Sequence, residues 1–443
     1  MLRTSLPLPF PLVTQTTQPR LDRSYRALLA VPTLRRILMA MQVARVSQSM
    51  VSIALVLFTL TEYGSPALAG LVTFASVFPG LVVSPVAGAL LDRHGRVRLI
   101  TIDYIVALVA MILLGALALA DALPAWLLVL IAAISSLTGI LSHTGLRSLF
   151  PILVPKHLWE RVNAVDANGY VVATILGPPI AATLVALFGG PVALLAIGLA
   201  FGLAAISLRG VPDPPFESAS TGRLFVDAWA GMLYTWRNRT LRGLGFAISI
   251  TNLSGGMVTI VVPLIVLNRL GASEITVGLV FAVSGLTGML SAFLSGRLDT
   301  HRREWSMIVI SLAAFAPAAA LLLPASTSTA GATGDPAAFA AGLGLVVLSS
   351  ALLGLANGPL DVAMFTIRQR RTETAWMGRA FAVSMAFNFV GYPIGAALAG
   401  VLASISLQAS ILVGVLACLV GAALAAKMIP RYVDNLTHAP KAD

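Results

Sequence analysis

Charge is what this 443-residue chain has least of. Asp, Glu, Lys and Arg make up 11% of it, against about 25% in a soluble globular protein. Hydrophobic residues make up 58% and the mean hydropathy is +0.91. That leaves too little polar surface to cover a water-soluble fold. The single cysteine, Cys418, excludes an intrachain disulfide and falls in the last apolar run, where it reads as a small helix-packing residue. Histidines 94, 143, 157, 301 and 438 lack metal-ligand spacing. Neither a phosphate-binding loop nor a catalytic constellation stands on the polar segments, which argues against an ATP-driven pump or a membrane enzyme. No cofactor is expected. Residues 1–20 carry Pro7, Pro9, Pro11 and Pro19 and no uninterrupted apolar core, so a disordered tail is expected there rather than a cleavable signal.

What the chain does have is a series of apolar runs of about 20 residues, each long enough to cross a ~30 Å hydrocarbon core. Helices satisfy their own backbone groups in lipid. An all-α polytopic membrane protein is therefore predicted, with twelve transmembrane helices at 37–60, 67–91, 98–120, 124–146, 163–187, 190–208, 244–267, 274–296, 306–324, 339–365, 379–403 and 408–427. On this map every Lys and Arg except Arg45 and Arg269 falls on one side. By the positive-inside rule that side is cytoplasmic. The expected location is the plasma or inner membrane, with both termini in the cytoplasm. The net charge of +11 is then topology, with anionic-lipid contact as a side effect and no nucleic-acid partner.

Trp126, Trp159, Trp305 and Trp376 lie near predicted span ends, where an amphipathic ring prefers to sit. The midpoint stretch "LFVDAWAGMLYTWRNRTLRGL" alternates apolar residues at helical spacing with arginines and predicts an amphipathic helix on the inner membrane surface. The organisation expected is a tail (1–36), a six-helix half (37–209), a linker (210–243), a second six-helix half (244–427) and a second tail (428–443).

The halves are copies. "SMVSI" at Ser49 matches "GMVTI" at Gly256, an offset of 207. Gly70-Leu71-Val72, Gly80 and Gly88 match Gly278-Leu279-Val280, Gly288 and Gly296 at 208; Arg161, Ala164-Val165, Gly177 and Leu184 match Arg379, Ala382-Val383, Gly395 and Leu402 at 218. Collinear blocks at nearly one offset indicate duplication. Six helices per copy keep both halves in the same orientation, an architecture of secondary transporters.

Between the second and third runs stands "GALLDRHGRVRLI". Gly88, Asp92, Arg93, Gly95 and Arg96 resemble the G-x-x-x-D-R/K-x-G-R/K signature of the major facilitator superfamily, departing at Val97, where a second base is usual. "GRLDTHRR" from Gly296 is an eroded second copy. The resemblance covers about 35 to 427. It implies a loop that locks the inner helix ends against the opposite half, with Asp92 pairing with Arg96 or Arg147. "ATILGPPIAA", Ala173 to Ala182, resembles more loosely a glycine–proline pattern of proton-linked antiporters, with alanine replacing three glycines. Pro178 and Pro179 are expected to prevent straight continuation of the backbone ladder within that helix.

Few polar groups remain where lipid should be, and those are expensive. Gln42, Arg45 and Gln48 recur every three residues near one face of the first helix, with Arg45 near midplane. Arg45 is expected either to face the cavity with its fork free for an anionic or strongly polarised substrate group, or to pair with an acid such as Asp361. Asp361 and its repeat equivalent His143 are the proton-coupling candidates. Asp103 and Asp166 read as interfacial or interhelical pairs. Asn252, Asn357, Asn388 and Tyr392 are candidate cavity hydrogen-bonders that could equally join helices. The favoured expectation is a monomeric, proton-coupled exporter of a small amphipathic or anionic compound. A metabolite importer by proton symport is the alternative, and a transport-inactive membrane sensor the third.

Overall fold

The computed structural model describes Asp22 and residues 24–213, 224–297, 302–373 and 376–431. The membrane-crossing helices are α1 (Leu34–Tyr63), α2 (Pro66–Ala75 continuing as Phe78–His94), α3 (Arg96–Leu119), α4 (Ala125–Leu153), α5 (Trp159–Phe188), α6 (Gly190–Ser207), α7 (Arg239–Leu264, closing in a π turn at Ile265–Arg269), α8 (Glu274–Ser295), α9 (Glu304–Ala320), α10 (Pro336–Arg370), α11 (Met377–Phe389 continuing as Gly391–Ile405) and α12 (Leu407–Met428). Among the described residues these are the twelve spans long and apolar enough to cross a membrane. A linker helix, Leu224–Arg237, precedes α7, and no strand occurs among the described residues. The protein is an all-α polytopic bundle.

Several ends differ from expectation. α4 and α10 continue past the predicted 146 and 365 to Leu153 and Arg370, because a backbone ladder need not stop where lipid does. α7 starts at Arg239 rather than 244. The Asn238 side chain accepts from the N–H groups of Thr240 (3.0 Å) and Leu241 (3.1 Å) and caps the helix there. α5 runs on through Pro178 and Pro179, as the predicted span 163–187 does. Neighbouring helices hold such a segment in place, which is how membrane helices tolerate proline.

Within the first half α1 packs on α5 and α6, and α3 on α4 and α6; within the second α7 packs on α11 and α12, and α9 on α10 and α12. The pairs are the same, shifted by six helices. The halves meet along α2·α11 and α5·α8. Gly70 lies against the backbone of Ala396 and Gly400, and Gly278 against that of Pro178 and its neighbours and the side chain of Ala182. Pro178 and Ala182 are the repeat equivalents of Ala396 and Gly400, so one crossing is made twice. A Cβ on either glycine would strike the opposing backbone, so only glycine permits this approach.

These crossings lie away from the basic loops. One apolar core spans both halves there, taking in Val72, Ala181 and Ala182 with Val277, Ala396 and Ala399. Toward the basic end the buried clusters of the described residues each stay within one half. Ala87, Leu91, Leu99 and Leu141 form one cluster in the first half; Leu244, Ile308, Leu312 and Ile367 belong to another in the second.

Candidate functional site

α1 supplies the first wall. Gln42 Nε2 donates to the Gly169 carbonyl on α5 at 3.3 Å. Arg45, 6% exposed, donates through Nη1 to the Asp166 carbonyl (2.8 Å) and through Nη2 to Asp166 Oδ1 (2.5 Å). Its guanidinium carbon lies 3.7 Å from the ring centroid of Tyr170. A cation with a carboxylate, a carbonyl and a π face around it has most of its lost hydration replaced. The fork is thus engaged rather than free, and its acid is Asp166 of the same half, not Asp361. Asp166 was expected to join helices, and it does so here.

Tyr170 carries the chain of contacts onward. Its hydroxyl lies 3.2 Å from His143 Nδ1, and the two rings are near parallel, 6.2 Å apart. Gln48 is exposed. Arg45, Gln48, Tyr104, His143, Tyr170 and Phe201 line a narrow cleft with room for little more than a water molecule. So α1, α3, α4, α5 and α6 converge on a space with aromatic sides and an amide, an imidazole and an ion pair at its edge. Such a surface can hold a flat or amphipathic molecule by stacking and a few hydrogen bonds.

The second half supplies separate groups. Asn252 Nδ2 on α7 donates to the Asn388 carbonyl at 2.8 Å. The hydroxyls of Tyr392 and Thr259 are 3.1 Å apart. Asn357 Nδ2 donates to Asp361 Oδ2 at 2.8 Å, and among the described residues Asp361 makes no ion pair. Arg368, on the same helix, does not pair with Asp361. Arg368 is fully buried and turns to Met385 Sδ, 2.8 Å away, and to the Asn388 amide. With its oxygen toward Arg368, the Asn388 amide accepts from Nη2 at 2.8 Å and donates to the Ser384 carbonyl at 3.1 Å.

Which face of α10 these residues occupy follows from helix geometry. Leu348, Leu352 and Leu355 are exposed and apolar and share one face. At about 100° per residue, Asn357, Asp361, Met364 and Arg368 lie on the opposite face. The apolar stripe suits lipid, and the polar face turns toward α11 and the interior.

Of the loop motif, Gly95 and Arg96 are described. The side chains of Asp92, Arg93 and Arg147 and the surroundings of Gly88 lie outside the described residues, as does much of the eroded second copy. Gly95 has φ of 92° and closes α2. A Cβ there would meet the carboxylate of Asp213, which accepts from the N–H groups of Arg96, Val97 and Arg98 at 2.9, 3.2 and 3.1 Å. Sequence reasoning missed this cap, because Asp213 is far from α3 in the chain. It also missed Tyr170, although Tyr170 is the repeat equivalent of Asn388. It missed the Arg370–Glu304 ion pair that ties α10 to α9 as well.

Comparison with known proteins fits this architecture. The model of the Major Facilitator Superfamily matches residues 37–345 and 244–442. The chain belongs to that superfamily and is a multi-pass membrane transporter. It is 36% identical over 417 residues to a protein of Sinorhizobium fredii described as the uncharacterized MFS-type transporter y4rN, covering 92% of this chain and 97% of that one. It is 26% identical over 383 residues to the multidrug efflux pump Tap of Mycobacterium tuberculosis, covering 82% and 85%. Among solved structures a mutant of the nucleoside transporter NupG superposes with a TM-score of 0.70 at 14% identity, covering 89% of this chain and 98% of that one. This last likeness concerns the fold.

Proposed function

We propose that the protein exports a small amphipathic molecule by alternating access, driven by protons moving inward. The observation that carries alternation is the unequal joining of the halves among the described residues: one apolar core runs from the first half into the second only at the end away from the basic loops, while the clusters at the basic end each stay within one half. Packed cores have discrete arrangements, so breaking one seam and forming the other is a two-state change. Likeness to a protein named as a multidrug efflux pump supports the outward direction.

In this reading residues 37–209 and 244–427 are the two moving bodies. The tails 1–36 and 428–443 and the linker 210–243 lie in the cytoplasm, and the unit is a monomer in the inner membrane. Gln42, Gln48, His143 and Tyr170 meet substrate from one side, and Asn252, Asn357 and Tyr392 from the other; Asn388, expected to line the cavity, is instead buried and holds Arg368 and Ser384. Arg45 orders the first wall through Asp166. A substrate need not be anionic, since the Arg45 charge is already balanced. Asp361, hydrogen-bonded but not ion-paired, carries the proton, with His143 as partner, and the Asp92 loop gates the cytoplasmic end.

The test is transport in proteoliposomes with an imposed pH gradient, run against a library of amphipathic dyes, antibiotics and metabolites. Gradient-dependent accumulation of an amphipathic compound in inside-out orientation supports the reading. Accumulation of a metabolite in the proton-symport direction alone would overturn it.

A further inference from the structure

The linker helix presents a face that the other described residues leave largely exposed. Trp229, Met232, Leu233 and Trp236 are 63%, 47%, 37% and 53% exposed and fall at i, i+3, i+4 and i+7, one stripe of the helix. Gly231 and Thr235, on the far side, are buried. Arg237 and Arg239 stand exposed at the end of the stripe.

Two contacts set its height and its reach. Trp236 packs edge-on against Phe246, 5.8 Å between ring centres. Phe246 is already inside the membrane-crossing helix α7, so the stripe sits at the level where lipid begins. Tyr234 stacks on Trp376 at 5.0 Å and its hydroxyl accepts from the Glu373 N–H at 3.1 Å, which holds the helix to the α10–α11 turn. The same helix also packs on the basic-end part of α2. It therefore touches both halves at the basic end, where the buried clusters of the described residues each stay within one half.

We propose that the linker helix is seated on an anionic lipid leaflet, with the Trp229–Trp236 stripe in the headgroup boundary and Arg237 and Arg239 on the phosphates, and that this seating biases how far the halves part at the basic end. Two tryptophans on an apolar stripe beside arginines match an interfacial helix in chemistry. Anionic headgroups attract such arginines. A ligand that touches both moving bodies shifts their equilibrium by its preference for one arrangement.

The experiment needs no substrate. The full chain in a Cys418→Ser background is placed in nanodiscs of phosphatidylcholine, or of equal parts phosphatidylcholine and phosphatidylglycerol. A Met232→Cys variant carrying an environment-sensitive dye reports seating. Quenching by lipids spin-labelled near the headgroup, with protection from aqueous iodide, is expected. Iodide quenching overturns the proposal, and so does protection without lipid quenching, which would mean a second copy or another segment of the chain covers the stripe. A spin-label pair at His94→Cys and Gln369→Cys reports the separation of the halves. Its distance populations should shift about twofold or more with phosphatidylglycerol, and the shift should vanish in Arg237→Gln/Arg239→Gln. An unchanged distribution in the unsubstituted linker would overturn the coupling.

Discussion

One helix contact is made twice in this molecule, once with charge and once without. Arg45 and Asn252 are repeat equivalents at offset 207, and Asp166 and Ser384 at offset 218. In the first half α1 reaches α5 through the Arg45–Asp166 pair. In the second, α7 reaches α11 through the Asn252 amide and the Asn388 carbonyl. The neighbouring clefts differ likewise. The first has charged and aromatic walls; the second, a small space between α7, α9 and α12, is bounded by Met257, Val261, Leu322 and Ile411 with the hydroxyls of Ser254 and Ser410. A neutral hydrogen bond of about 1 kcal/mol suffices to join the two helices. A buried ion pair adds desolvation without adding to that task. In the proposed function the charge of the first half orders the wall that meets substrate.

The sharpest way to break this comparison is to remove one charge. Asp166→Ala leaves Arg45 buried without its carboxylate and should cost about 3–5 kcal/mol. Asn252→Ala should cost about 1 kcal/mol. Thermal unfolding of the purified protein in detergent measures both, and equal losses would erase the distinction. Arg45→Asn/Asp166→Ser gives the first half the chemistry of the second. It should recover stability to within about 1 kcal/mol of the parent while transport falls about tenfold or more, a loss of ~1.4 kcal/mol. Undiminished transport would reduce the pair to scaffolding.

Asp361 and His143 form the second unequal pair, equivalent at offset 218. Asp361→Asn should abolish accumulation driven by a pH gradient yet leave substrate exchange, which needs no net proton movement. His143→Gln should weaken both, since its ring contacts Tyr170 in the cleft wall. Concentrative transport with normal pH dependence in Asp361→Asn would clear that residue of proton carriage.

Where the halves are alike, substitutions should act alike. Gly70→Val and Gly278→Val each put a side chain into the same duplicated crossing. Both should disfavour the joined end and slow turnover severalfold, through ~1–3 kcal/mol of overpacking. Reaction of a thiol introduced at Glu62 with an impermeant reagent should rise in both. A response in one alone would show that the two crossings bear unequal load.

The spans and the duplication were legible because each is written within a single segment, as run length or as glycine spacing. Partners between segments were not. Gly70 announced a close approach, but nothing in its own helix pointed to Ala396. The partner of Arg45 was within reach of simple counting. Arg45 stands eleven residues into α1 and Asp166 seven into α5, and both helices start at the basic end, so at ~1.5 Å per residue the two lie at similar depth. Asp361 lies nine residues from the basic end of α10, and depth alone could not choose between the acids. The Asp213 cap left no local signal at all, because the groups it satisfies are backbone amides.

That cap also closes the comparison of halves at its smallest scale. After α6 the chain reads Val211-Pro212-Asp213, and after α12 it reads Ile429-Pro430-Arg431, again at offset 218. The acid version caps α3 through three N–H groups. The basic version does otherwise: the Arg431 guanidinium lies 5.0 Å from the Trp305 ring centre. The Trp305 indole donates to the Ile429 carbonyl at 3.1 Å, and Arg371 donates to the Pro430 carbonyl at 2.7 Å. One strap is held by its side chain and the other largely by its backbone. Asp213→Ala should therefore lose about 1 kcal/mol, and Arg431→Ala about 0.5 kcal/mol, the range of an exposed cation–π contact. Asp213→Asn should retain most of the cap, since an amide oxygen still accepts. Hydrogen exchange followed by mass spectrometry reads the difference directly. Amides 96–98 should exchange faster in Asp213→Ala and unchanged in Arg431→Ala, whereas equal protection of those amides in both variants would mean that water caps α3 as well as the carboxylate does.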